Sequence, residues 1–218
     1  MLAAVFIAPF LVAFLFRFGI PEIETLLCGY FHRSAILSGY YRLFDLFLSV
    51  LTPYMFCFAS AMVLLTDYDE NMTVYMAVTP VGRMGYLLSR LGFPAAISFF
   101  ISLLLMRWFT LTAWTAWTAA ATCLLGGILS ITVALFIFVF SHNRVEGLAM
   151  GKLSGLIMLG LPAPFFMASN VQYLFSFLPS FWIAKLCMTN SGWLIFPALL
   201  TSALLTWALY RRFVRKLM

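Results

Sequence analysis

The chain has 218 residues, 64% of them hydrophobic and 9% charged, with a formal net charge of +6 and a mean hydropathy of +1.04. A soluble domain carries roughly 25% charged residues, so this composition excludes a soluble fold, leaves no room for a soluble catalytic domain and defines an integral membrane protein. The 13 Lys and Arg are scattered through connections rather than striped on one face, so nucleic acid is not an expected partner, whereas membrane lipid is.

Met1 to Phe16 is continuously apolar and lacks the charged leader and cleavage site of a secretory signal. It is read as a retained first span, about residues 2–17. Pro21 is expected to mark where this helix has ended. Arg17 to Arg42 then forms the first polar connection, carrying Glu22, Glu24, His32 and Arg33. A second span is expected over about 44–66, with Asp45 at its outer edge and Pro53 as a mid-depth kink.

After the polar connection 67–85, a third span covers about 86–106. It contains Arg90 near one end, where a snorkelling side chain is weighed against a buried functional arginine. Residues 108–143 carry no charged side chain. At about 1.5 Å per residue that stretch is too long for one upright helix and short for a hairpin. One tilted span over about 112–140 is expected, with Gly126-Gly127 as the place where any break would fall.

A fifth span covers about 149–168, with Pro162 and Pro164 near its outer end. Gly147, Gly151 and Gly155 recur every four residues. Such a stripe suits close helix approach, either inside the chain or at a dimer seam. Ser169 to Ser191, interrupted by Pro179 and Lys185, is too broken to span and reads as interfacial or re-entrant helices on the outer side. The sixth span, about 193–210, ends in Arg211, Arg212, Arg215 and Lys216. No internal repeat is read.

The expected fold is therefore an all-α integral membrane protein, a single transmembrane domain over 1–218 with six transmembrane helices. Both termini are expected to be cytoplasmic by the positive-inside rule. Inside would lie Arg83, Arg90, Arg144, Lys152, Arg211, Arg212, Arg215 and Lys216, against Arg17, Arg33, Arg42, Arg107 and Lys185 outside. Trp108, Trp114, Trp117, Trp182 and Trp193 would form an outer aromatic belt.

Cys28, Cys57, Cys123 and Cys187 show no metal-binding spacing, so no metal site is expected. Cys57 and Cys123 read as packing residues. Cys28 and Cys187 both fall on the expected outer side, which leaves a bridge between them open. Gly147 to Leu153 glances at a phosphate loop but has one residue too few between its glycines and Leu153 where a hydroxyl is needed. His32 and His142 fall on opposite sides, which argues against an intramembrane hydrolase.

The connection 67–85 is longer than the usual helix–helix link of roughly 2–8 residues. Asp67, Asp69 and Glu70 cluster at the exit of the second span. A short apolar run, Val74 to Val78, follows. Thr79-Pro80 then suits an N-cap and first helical position, so a short amphipathic helix is expected here, serving as a lever for a soluble partner.

At these residues the chain resembles the permease subunits of ABC type-2 exporters, in particular the fluoroquinolone-export permease-like group. The resemblance rests on Leu64 to Glu70, Val78-Thr79-Pro80 and Tyr86-Leu87. It extends to Ala8-Pro9-Phe10, Arg17 to Pro21, Asn143 to Gly147 with Lys152, and Leu178-Pro179-Ser180 with Trp182. Thr66 and Tyr68 replace charged residues of that group's acidic motif, and the cytoplasmic segment that usually precedes its first span is expected to be missing.

The resemblance implies a subunit of the cytoplasmic (inner) membrane that pairs with a second permease copy or paralogue and with ABC ATPase subunits. Asp67, Asp69, Glu70, Thr79, Pro80 and Arg83 would couple it to the ATPase. Pro179, Trp182 and Lys185 would belong to an outer gate. ATP and Mg would sit on the partner, with no cofactor on this chain, which is not expected to be an enzyme. The cargo class would be a lipophilic drug, peptide or lipid-like molecule. The alternatives are a non-transporting membrane scaffold or immunity protein and an ion-coupled carrier.

Overall fold

The computed structural model describes residues 2–70, 85–86, 88–167 and 170–216, with side chains from Val5 onward. All regular elements among these residues are helical. They are α1 (Leu2–Phe14), α2 (Ile20–Phe31), α3 (Tyr41–Asp69), α4 (Phe93–Trp108), α5 (Ala116–Phe140), α6 (Arg144–Ser154), α7 (Ala163–Phe166), α8 (Pro179–Thr189) and α9 (Ile195–Lys216). Five helical runs are long and apolar enough to cross a membrane: Val5–Phe31, Ser38–Asp69, Leu88–Trp108, Ala116–Phe140 and Gly192–Lys216.

The first helix does not end before Pro21. It widens into a π turn over Leu15–Gly19 and continues as α2 to Phe31, with Pro21 in the first turn of α2. Proline lacks an N–H and crowds the carbonyl four residues earlier. A π turn changes the bonding pattern just upstream and so accommodates it. The same device recurs at Leu88–Gly92, followed by α4 with Pro94 in its first turn. The two sites share the local spacing Arg-x-Gly-x-Pro, in Arg17-Phe18-Gly19-Ile20-Pro21 and Arg90-Leu91-Gly92-Phe93-Pro94.

Helices α3 and α5 form the centre. Most of each is buried, whereas α9 is mainly exposed. Gly126 permits their close approach, since a Cβ there would lie 3.5 Å from the backbone of Ser49 and Val50. Buried hydroxyls on both helices bond back into their own backbone, as with Thr52 to Leu48 O and Ser130 to Gly126 O, which satisfies them without water. Ser102 instead crosses from α4 to Ser49 O at 2.8 Å, and Thr132 meets Thr206 of α9 at 2.7 Å. Residues 108–143 contain one uninterrupted helix, α5, through Gly126-Gly127.

α1 runs antiparallel to α3: Phe6 meets Phe56 and Phe16 meets Phe44. Arg17 then reaches Thr110 O at 2.5 Å. Residues 144–166 also run antiparallel to α3, along its full length. Arg144 N donates to Asp69, Tyr54 OH donates to Gly151 O at 3.0 Å, and Phe166 stacks on Tyr40.

This path is not one regular helix. After Ser154 it tightens into a 3₁₀ helix over Gly155–Gly160, where two glycines and the following Pro162 and Pro164 weaken α-helical bonding. Helix α8, about 16 Å long at 1.5 Å per residue, is too short to cross. It is nevertheless inserted, with Phe181, Ile183, Ala184 and Cys187 fully buried. Cys28 and Cys187 are unbridged, like Cys57 and Cys123.

Candidate functional site

Charged side chains on α3 gather at its two ends. Asp45 and Asp67 are separated by about 33 Å at the α-helical rise, close to the ~30 Å hydrocarbon core of a bilayer.

At the first end, Asp45 is 2% exposed. It accepts from Leu111 N (2.8 Å), Thr112 N (2.9 Å), Thr112 Oγ1 (2.6 Å) and Trp114 Nε1 (3.0 Å). A buried carboxylate with four donors is a structural clasp, and it holds the 109–115 loop between α4 and α5. Nearby, Glu24 accepts from Ser38 N at 2.9 Å and from Tyr41 OH, tying α2 to the start of α3.

At the second end, five elements meet where α3 runs into the 67–85 connection. Asp67 Oδ2 pairs with Arg90 Nη2 at 2.8 Å and accepts from Tyr86 OH at 2.7 Å. The side chains are 13% and 38% exposed for Asp67 and Arg90. Arg90 is therefore neither a lone snorkelling side chain nor a deeply buried one. Burial, and then the bond to Asp67, push the Tyr86 hydroxyl's pKa up, so this residue, which precedes the Leu88–Trp108 run, stays a protonated donor.

Asp69 accepts from Arg144 N at 3.2 Å at the start of α6. The neighbouring cap is local: Asn143 accepts from Glu146 N (2.9 Å), and Glu146 reaches back to His142 N (2.7 Å). This resembles a capping box, with the acid in the first turn where the helix dipole favours it. Lys216 at the end of α9 donates to Phe138 O at 2.5 Å and to Ser141 O, which satisfies the C-terminus of α5. Glu70 is exposed and caps α3 through its backbone.

Thus Asp67 and Asp69 are held by partners on other elements, whereas the Glu70 side chain has no hydrogen-bond or ion-pair partner among the described residues. Thr79, Pro80 and Arg83 lie outside the described residues. The described residues hold no group of His, Cys, Asp and Glu able to bind a metal.

Of the glycine stripe, Gly147 and Gly151 face α3. An added Cβ would lie 2.3 Å from Leu65 Cδ1 and 2.4 Å from Phe58 Cε2, respectively, while Gly155 faces open space. On α8, Pro179 begins the helix, Trp182 Nε1 donates to Ser176 O at 2.7 Å, and Lys185 bonds Tyr173 OH while covering its ring. These three sit together on one element.

Two residues carry structure that the sequence reading did not assign to them. They are Asp45, read there only as the edge of the second span and held here by partners far along the chain, and Gly160, where a Cβ would fall 2.6 Å from the Phe181 backbone N.

An all-helical bundle with several membrane-length apolar helices, and with carboxylate clusters about one hydrocarbon thickness apart, is a multi-pass membrane protein. Within that class, the chain belongs to the family described as fluoroquinolones export permease protein Rv2686c-like, whose profile matches residues 1–213. Two curated relatives are "Fluoroquinolones export permease protein MT2760" and "Fluoroquinolones export permease protein Rv2686c". They come from Mycobacterium tuberculosis strains CDC 1551 / Oshkosh and ATCC 25618 / H37Rv, respectively. Each is 33% identical over 101 residues, covering 43% of this chain and 39% of the relative. The matched part is thus well under half the length of those relatives. No solved structure matches the chain.

Proposed function

We propose that the chain is the membrane-spanning permease subunit of an ATP-driven exporter of the ABC type-2 class, seated in the cytoplasmic membrane and coupled to a separate ATPase through residues 67–85. It crosses the bilayer six times in this reading. The five long helices are joined by the broken run 144–166, which passes from the Asp69 end to the Tyr40 end. The Asp67 end faces the cytoplasm, together with both chain ends. Arg90, Arg144, Arg212, Arg215 and Lys216 gather there, in keeping with the positive-inside rule.

The observation that carries the reading is the way the acidic exit of α3 is wired. Asp67 is clasped to Arg90 and Tyr86, Asp69 to the start of α6, and Lys216 of α9 to the end of α5. A push on the connection therefore reaches several crossing elements at once. Such a push shifts an inward/outward equilibrium only if the contacts differ between the two states.

Glu70, left exposed, is the residue offered to the ATPase. Thr79, Pro80 and Arg83 share the role through the resemblance. α8, with Pro179, Trp182 and Lys185, forms the outer gate. The ATPase subunits bind ATP and Mg, and a second permease copy or paralogue completes the assembly. The cargo is a lipophilic compound, with drugs of the kind named for the relatives as the first candidates.

Coexpression with the cognate ATPase tests this. The wild-type chain is expected to copurify with it and to stimulate ATP hydrolysis. Glu70→Ala with Asp69→Ala is expected to lower stimulated hydrolysis at least tenfold, with membrane insertion retained. Wild-type stimulation by the double variant would overturn the coupling assignment.

A further inference from the structure

A groove of about 790 Å³ lies between α1, α3 and the π turn that leads into α4. Its volume falls within the ~300–1,000 Å³ range of small-molecule sites. Phe6, Phe56 and Phe93 supply apolar wall, and Ser60, Ser89 and Arg90 supply the polar atoms. The two hydroxyls already donate to Phe56 O (3.1 Å) and Tyr86 O (2.8 Å). Arg90 is therefore the charged donor of the groove, and it is the same guanidinium that clasps Asp67 at 2.8 Å.

We propose that this groove binds a bilayer-resident amphiphile with one anionic head, and that the head competes with Asp67 for Arg90. Occupancy would thereby loosen the α3–α4 clasp at the entrance to the 67–85 connection. The charge argues for an anion. A guanidinium presents five N–H donors in a planar fork that fits a carboxylate or phosphate, and an apolar wall strengthens that pairing relative to water. A neutral amphiphile would gain only apolar burial, and a cationic one would meet Arg90 unfavourably.

Asp67 can release Arg90 because Tyr86 OH still donates to it at 2.7 Å, so the carboxylate is not left bare. Site coupling is reciprocal. If the anion and Asp67 compete, removing the Asp67 charge must tighten anion binding.

The full-length chain in nanodiscs of zwitterionic phosphatidylcholine, without ATPase, tests the inference by scintillation proximity. Tritiated oleate is the anionic probe and tritiated oleyl alcohol the neutral one. Oleate is expected to bind saturably and at least tenfold more tightly than the alcohol. Arg90→Gln should bring oleate down to the affinity of the alcohol and leave the alcohol unchanged, while Arg90→Lys keeps the preference. Asp67→Asn should tighten oleate about fivefold or more. Ala59→Trp, which fills the groove and leaves the ion pair in place, should weaken both probes.

An oleate preference that survives Arg90→Gln, or weaker oleate binding by Asp67→Asn, would overturn the proposal. If Arg90→Gln fails to fold, Asp67→Asn and Ala59→Trp decide it. Because the readout is binding alone, its failure is separable from failure of the ATPase-coupling reading.

Discussion

Asp45 and Asp67 sit near opposite ends of α3, and the difference in their surroundings separates a fixed clasp from a movable one. Asp45 is 2% exposed and has four neutral donors, three of them on residues 111 and 112. Because every hydrogen bond it accepts comes from a neutral donor, the carboxylate has a structural role. Asp45→Ala would leave several partly buried N–H groups unpaired, each costing roughly 1–3 kcal/mol where water cannot replace the bond. It is expected to destabilise the protein by about 3 kcal/mol or more, read as a lower thermal unfolding midpoint in detergent and as new proteolysis within 109–115. An unchanged midpoint would show that the loop is held by other contacts. Asp67, by contrast, shares its proton donor Tyr86 and its cation Arg90 on one oxygen, so one bond can be exchanged while the other persists.

At the scale of elements, the run 144–166 and α8 depend on close approach. Gly160→Ala would place a Cβ 2.3 Å from Ser180 Oγ and 2.6 Å from Phe181 N, and backbone cannot move aside as a flexible side chain can. Overpacking of this kind costs about 1–3 kcal/mol. Gly155→Ala, with open space around its Cβ, is expected to be neutral or stabilising. Comparing the thermal midpoints of the two variants checks this, and equal losses would refute the packing assignment.

The periodic glycines and the long apolar stretches were legible in the sequence because each is a local pattern. The end of the first helix was misplaced because Pro21 was weighed without the π turn that accommodates it. The clue was present in the local spacing that Arg17 to Pro21 shares with Arg90 to Pro94. The Asp45 clasp and the Asp67–Arg90 pair were not legible. Their partners are joined by the register between helices, which no spacing along the chain encodes.

For the whole molecule, the arrangement is a bundle centred on α3 and α5, with one polar end built around a buried carboxylate and the other around exchangeable charges. If the second end receives force from an ATPase, it must face the cytoplasm. The most direct measurement is labelling of Glu70→Cys, with Cys28, the partly exposed native cysteine, replaced by Ser, using a membrane-impermeant maleimide. The account predicts no labelling in intact cells, labelling in inverted vesicles, and protection there by the ATPase. Labelling of position 70 from outside intact cells would contradict it.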